Sequence, residues 1–165
     1  MSTEQKPTGQ KPIGQKPTAK PKASKNRRKS RELVLKGIYR ALINQAEHKM
    51  VMRDLMDDPD YERADQDYLR QLLDGVLQHM PELDDRLGSF LDRTAAELSP
   101  IEHAILYLSA FELIHDPSIP YRVAINEGVE LAKLYGGTDG HKYVNGVLDK
   151  LAAEARPSEV NRASR

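Results

Sequence analysis

Seven residues, Lys25-Asn26-Arg27-Arg28-Lys29-Ser30-Arg31, carry five cations. Guanidinium groups hold phosphates through paired N–H donors, and clustered cations release counterions from a polyanion, so such a run suits a nucleic acid. A solubilising tail would carry the same charge. Two tyrosines add a second kind of chemistry. Tyr39 flanks the apolar stripe of the helix that follows the cations, and Tyr143 flanks that of the last long helix; from both positions a ring could stack on an unpaired base or pack at the rim of a core. Glu112 shares a helical wheel position with Ile101, Ile105 and Leu108, which puts a carboxylate on a buried stripe. A structural, hydrogen-bonded acid is the expected role, because no base accompanies it.

Other chemistries find little support. Without cysteine there is no disulfide, thiol nucleophile or thiolate metal site. His48, His79, His103, His115 and His141 show no His-x-x-x-His spacing and no carboxylate in a metal motif, so structural or surface roles are expected and neither a metal nor a cofactor is. Gly136-Gly137-Thr138-Asp139-Gly140 lacks the Lys-Ser/Thr of a phosphate loop and reads as a helix stop followed by a helix cap. No serine has a nucleophile-elbow context. The chain does not read as an enzyme.

The elements that must position these residues are helices. Val34, Ile38, Ala41 and Leu42 mark a first helix from Ser30 to about Gln45, and a short second segment covers residues 49–56. Leu69, Leu72, Leu73, Val76, Leu77 and Met80 give a third, stopped by Pro81; Leu83, Leu87, Phe90 and Leu91 give a fourth. Ser99-Pro100-Ile101-Glu102 reads as a capping box opening a fifth helix, closed by Asp116-Pro117. A sixth spans 121–135, with apolar positions on more than one face and hence a central place expected, and a seventh ends before Pro157. The fold class is all-α, a compact bundle of about seven short helices.

Charge divides the chain further. The 165 residues balance 25 Lys and Arg against 25 Asp and Glu, yet residues 1–31 hold ten cations against Glu4 alone. Gln-Lys-Pro recurs at five-residue spacing from Gln5, and a segment this polar cannot offset its ordering entropy. A disordered Lys/Pro-rich tail is therefore expected over 1–24, a helical RNA-binding domain over 25–156 and a C-terminal tail over 157–165. No apolar run approaches membrane-spanning length and no secretory signal opens the chain, so a cytoplasmic protein is expected.

Several strings are more specific: Arg27-Arg28-Lys29-Ser30-Arg31-Glu32 before the helix with Tyr39, Leu98–Glu102 with Phe111-Glu112-Leu113, Pro120–Glu127, and above all Asp139–Lys150. Over about residues 25–156 the chain resembles the bacterial NusB family of transcription antitermination proteins. The resemblance implies an RNA-binding regulator that pairs with NusE, a small-subunit ribosomal protein, on the single-stranded boxA element of nascent ribosomal RNA leaders, so that RNA polymerase resists termination. By position it places Arg27, Arg28, Lys29 and Arg31 on backbone phosphates, and Tyr39, Glu102, Asp139 and Tyr143 on the RNA surface. An acid there can accept from base amino groups. Tyr107 stands where a basic residue is frequent and Tyr143 where phenylalanine is; stacking survives the second change. The same fold opens some ribosomal RNA cytosine methyltransferases, but no methyl-donor domain or cysteine is present here. A helical scaffold that binds protein and not RNA is the alternative.

Overall fold

The computed structural model describes residues 19–92 and 97–164, with side chains from Arg27 onward. Most of the expected tail, residues 1–18, lies outside this range, as do 93–96 and 165. Eight α-helices are described: α1 (Ala19–Asn44), α2 (His48–Met56), α3 (Gln66–Gln78), α4 (Met80–Gly88), α5 (Pro100–His115), α6 (Tyr121–Tyr135), α7 (Gly140–Ala155) and α8 (Pro157–Ala163), with a 3-10 turn at Tyr61–Arg63. No strand occurs among the described residues, as the all-α reading expects.

Helix α1 starts at Ala19, not at Ser30. Pro21 is tolerated there because the first four N–H groups of a helix have no intrahelical acceptor. Arg27 to Arg31 therefore sit more than two turns inside α1, where the macrodipole that would oppose them at a helix start has faded. The inner face of α1 carries Leu33, Val34, Leu35 and Ile38, all buried.

The central helix is α5, not α6. Its residues Ala104, Ile105, Leu106, Tyr107, Leu108, Ser109 and Ala110 are all buried, and it packs against α1, α3, α4, α6 and α7. A helix apolar on every side is a core helix, and the longest apolar run in the sequence falls within it. Helix α6 buries Ala124, Ile125, Gly128, Leu131 and Ala132 but exposes Val123, Leu134 and Tyr135, so the apolar residues on its other face remain at the surface.

Residues 157–163, expected as tail, form α8. What holds them is Arg156. Its guanidinium donates to the carbonyls of Leu113 (2.7 Å), Glu112 (3.1 Å) and Asp116 (2.9 Å) at the C-terminal end of α5, where Glu112 O also accepts from Asp116 N and Asp116 O from Ile119 N. It also meets Glu159 Oε1 at 2.6 Å, and the other Glu159 oxygen accepts from Tyr121 N at 2.9 Å, opening α6. No described helix is long and apolar enough to cross a membrane.

Candidate nucleic-acid interface

Helical geometry divides the cationic run between two faces. Ser30 and Arg31 turn inward: Ser30 Oγ donates to the Asp65 carbonyl at 2.7 Å, and Arg31 is only 5% exposed. Arg31 Nε donates to Glu112 Oε2 at 2.9 Å, its Nη2 lies 3.3 Å from the Tyr68 hydroxyl, and that hydroxyl donates to the same carboxylate. Burial pushes the Glu112 carboxyl up and Arg31 opposes this only in part, leaving the net direction upward. This is the structural acid the sequence suggests, with its cation supplied from α1. It also ties up Arg31, which still borders the groove between α1 and α6 but presents little surface to a phosphate there.

Arg27, Arg28 and Lys29 face outward, while Lys25 lies before the first described side chain. Arg28, its side chain 65% exposed, makes a two-pronged contact with Glu127 of α6, Nε to Oε1 at 3.2 Å and Nη2 to Oε2 at 2.7 Å. That hydrogen bond and charge hold the Arg28 guanidinium above its ordinary pKa. Arg27 lies 3.7 Å from Asp65 and 4.4 Å from the centroid of the Tyr68 ring. Lys29 meets Glu32 at 2.9 Å and Asp60 at 3.6 Å. Each outward cation thus has a carboxylate partner that a phosphate would have to displace.

Arg27, Arg28, Lys29 and Arg31 line a groove of about 680 Å³ between α1 and the start of α6, with Glu32 and Glu127 beside them and Ser118, Ile119, Pro120 and Val123 completing it. Glu32 joins it to a second, apolar cleft lined by Leu35, Lys36, Tyr39, Arg40, Ile101 and Tyr135. Lys29, Glu32, Lys36 and Tyr39 recur at three- and four-residue steps, so one flank of α1 serves both clefts. Tyr39 keeps 39% of its surface exposed and Tyr135 keeps 46%. Sequence reading missed Glu127 and Tyr135, which only folding brings beside Arg28 and Tyr39. Lys36 and Arg40 were legible as further positions on the Tyr39 flank.

Glu102 and Asp139 line a third, smaller recess with Gly137, Thr138 and Gly140. Ser99 caps α5 as expected, its Oγ accepting from Glu102 N at 3.1 Å, but the Glu102 carboxylate does not complete the box. It turns instead to the Gly137 N–H at 3.4 Å. A Cβ at Gly140 would meet that carboxylate, so glycine here leaves the space in which the Glu102 side chain lies. Asp139 sits at the start of α7 without a side-chain cap bond and is well exposed, whereas Glu102 is buried. Tyr143, one turn on, packs partly against the core and its hydroxyl oxygen is buried. Tyr107 is buried as well, donating to Asp84 at 2.7 Å and stacking on His103. The structure therefore brings Arg27, Arg28, Lys29 and Tyr39 along one flank, sets Glu102 and Asp139 in a separate recess, and leaves Arg31 and most of Tyr143 inside.

Histidines meet carboxylates despite the lack of any linear motif. His48 contacts Asp74, His103 contacts Asp84, and His115 contacts Glu82 at 2.8 Å across 33 positions of sequence. Such pairs come from helix packing and leave no spacing to read.

Comparison with known proteins agrees with this architecture. Residues 28–153 match the NusB family. Transcription antitermination protein NusB of Methylobacillus flagellatus is 69% identical over 145 residues, 88% of this chain and 94% of that one. Its counterpart in Thiobacillus denitrificans is 51% identical over 140 residues, 85% of this chain and 97% of that one. Among solved structures, T. maritima NusB superposes with a TM-score of 0.72 at 26% identity, covering 81% of this chain and 96% of that one. Antitermination factor NusB, solved with NusE and double-stranded RNA, shares the fold at a TM-score of 0.62 and 23% identity over 77% of this chain and 96% of that chain. With its helices, its basic flank and more than two thirds of its length matched, the chain belongs to the NusB family.

Proposed function

We propose that this chain is a transcription antitermination factor that binds the boxA element of nascent ribosomal RNA leaders together with NusE, in the cytoplasm, so that RNA polymerase carrying the complex resists termination. It acts by binding and not by catalysis. The observation that carries the RNA half of this reading is the outward flank of α1, with Arg27, Arg28 and Lys29 on one groove and Tyr39 on the apolar cleft that continues it. Cations supply sequence-independent affinity, and an exposed ring favours a single strand whose bases can unstack onto it. Arg31 borders the same groove but is held by Glu112, so it contributes less than the three outward cations, and Tyr143 is partly buried against the core. Glu102 and Asp139 remain acceptors for base amino groups at the far recess.

The test is a boxA titration with and without NusE, on the full chain and on Arg27→Ala/Arg28→Ala/Lys29→Ala. Alanine at all three positions is expected to weaken binding and to lower the log–log salt slope by about two units, the share of three phosphate contacts on a single strand. Helical circular dichroism should not change. Equal affinity and slope would favour the alternative, a helical scaffold that binds protein alone. A double-stranded boxA arm separates base stacking from backbone recognition.

A further inference from the structure

The corner where α3 passes into α4 holds a cluster that plays no part in the RNA reading. His79 ends α3 and precedes α4, Glu82 stands in the first turn of α4, and His115 is the last residue of α5. One donor atom from each lies within 4.8 Å of the others. We propose that His79, Glu82 and His115 form a binding site for a borderline divalent cation of the Zn²⁺ type.

Three features of the geometry point there. First, two imidazoles and a carboxylate are the donor set that Zn²⁺ takes at sites that keep a fourth position for water. Second, His79 is already oriented. Its Nδ1 lies 2.7 Å from the Gly75 carbonyl, which can only accept, so Nδ1 carries the proton and Nε2 is the free basic nitrogen. A ring nitrogen bonded to a backbone carbonyl while the other faces a cation is the usual outer support of a metal-binding histidine. Third, the rings are held close: the His79 and His115 centroids are 4.6 Å apart, and Phe111 packs against both at 5.8 and 5.1 Å. His115 Nε2 and Glu82 Oε1, at 2.8 Å, already stand close enough to share an ion.

Bonds of about 2.0–2.2 Å would place tetrahedral donors roughly 3.4 Å apart, so the third donor has to close by on the order of 1 Å. That movement falls within side-chain rotation, because the Glu82 carboxylate and the His115 ring are partly exposed. A bound ion would clip the α3–α4 corner to the end of α5, beside the carbonyls that Arg156 secures.

The experiment is a titration of the full-length chain with Zn²⁺ alone, in competition with a chromophoric chelator. One ion per chain is expected at micromolar affinity, with His79→Ala and His115→Ala each weaker by at least about ten-fold and Glu82→Gln weaker by about ten-fold. His103→Ala and His48→Ala, at the other two histidine–carboxylate pairs, should bind as the parent does. No binding below about 100 µM, or unchanged binding in the three site variants, would overturn the proposal. Co²⁺ on the unaltered chain gives a second reading that does not depend on any variant folding. An intense d–d band of a four-coordinate ion is expected, and the faint band of a hydrated ion would overturn the site. Neither measurement involves RNA, so its outcome is independent of the antitermination reading.

Discussion

Arg28 and Arg31 are one helical turn apart in the same cationic run, and they do opposite things. Arg31 is enclosed with Glu112 and Tyr68 and lies 3.6 Å from Glu127, while the exposed Arg28 grips the same Glu127 from the solvent side. The inner pair fixes how α1 lies on α5. The outer pair holds a cation ready beside a groove, where a phosphate can replace the carboxylate. A charge run is thus not a single functional unit; helical phase divides it into a part that builds the fold and a part that meets the ligand.

The largest expected effect breaks the inner pair. Arg31→Ala strands a fully buried carboxylate, and removing one partner of such a pair costs about 3–5 kcal/mol of folding stability. Urea denaturation measures it. Glu112 is then more easily protonated folded than unfolded, so the variant should regain stability as pH falls from neutral toward the carboxylate range. Replacing both partners by apolar residues, Arg31→Met with Glu112→Leu, should recover most of the loss. A mild effect of Arg31→Ala would mean that the inner and outer cations do not differ as described.

Arg156 extends the inner class, because it too is nearly enclosed, although its acceptors are mainly carbonyls. Arg156→Ala should cost about 2 kcal/mol, on the scale of one charged hydrogen-bond donor lost from buried acceptors, and should free α8 to exchange its amides. Amide hydrogen exchange over residues 157–163 reads this directly.

These contrasts show what the sequence could reveal. The helices and the Ser99 cap were legible because apolar spacing and capping chemistry are local. The buried acid at Glu112 was also legible, from wheel position alone. Its partner was not, since Arg31 lies 81 positions away in a run whose composition suggests solvent. The central place of α5 was missed in favour of α6, although the apolar run through residues 105–111 signalled it. Helix α8 went unread because Pro157 looks like a stop, whereas proline at the first helical position is compatible with a new helix. Glu127, Tyr135 and the histidine–carboxylate pairs depend on helices meeting, which no linear spacing encodes.

The tyrosines repeat the division on a smaller scale. Tyr39→Ala should weaken boxA binding by about 1–3 kcal/mol with little loss of folding stability, and Tyr39→Phe should bind nearly as the parent does because the π-face is kept. Tyr143 packs against the core, so Tyr143→Ala should lower folding stability first and binding only as a consequence. Paired thermal melts and RNA titrations distinguish the two. Identical behaviour of both alanine variants would remove the distinction between a presented ring and a packed one.

The smallest effect tests the outer pair itself. Arg28 is two-thirds exposed, so its half of the pair contributes only about 0–1 kcal/mol to folding. Glu127 is largely covered and also lies 3.6 Å from the buried Arg31, so Glu127→Gln should lower the thermal midpoint slightly, and far less than Arg31→Ala does. Its effect on RNA should have the opposite sign to that of any change in the cations. With the competing carboxylate neutralised, Arg28 no longer has to leave a partner to take a phosphate, and the groove loses one negative charge that repels the backbone. Affinity for boxA should rise by a few-fold, most visibly at low salt, where unscreened charge matters most. Arg28→Ala in the same background should abolish that gain, because it is the freed guanidinium that uses it. If Glu127→Gln instead weakens binding while leaving the fold intact, the carboxylate orients Arg28 toward the RNA and does not compete with it, and the outer pair is as much a fixed support as the inner one.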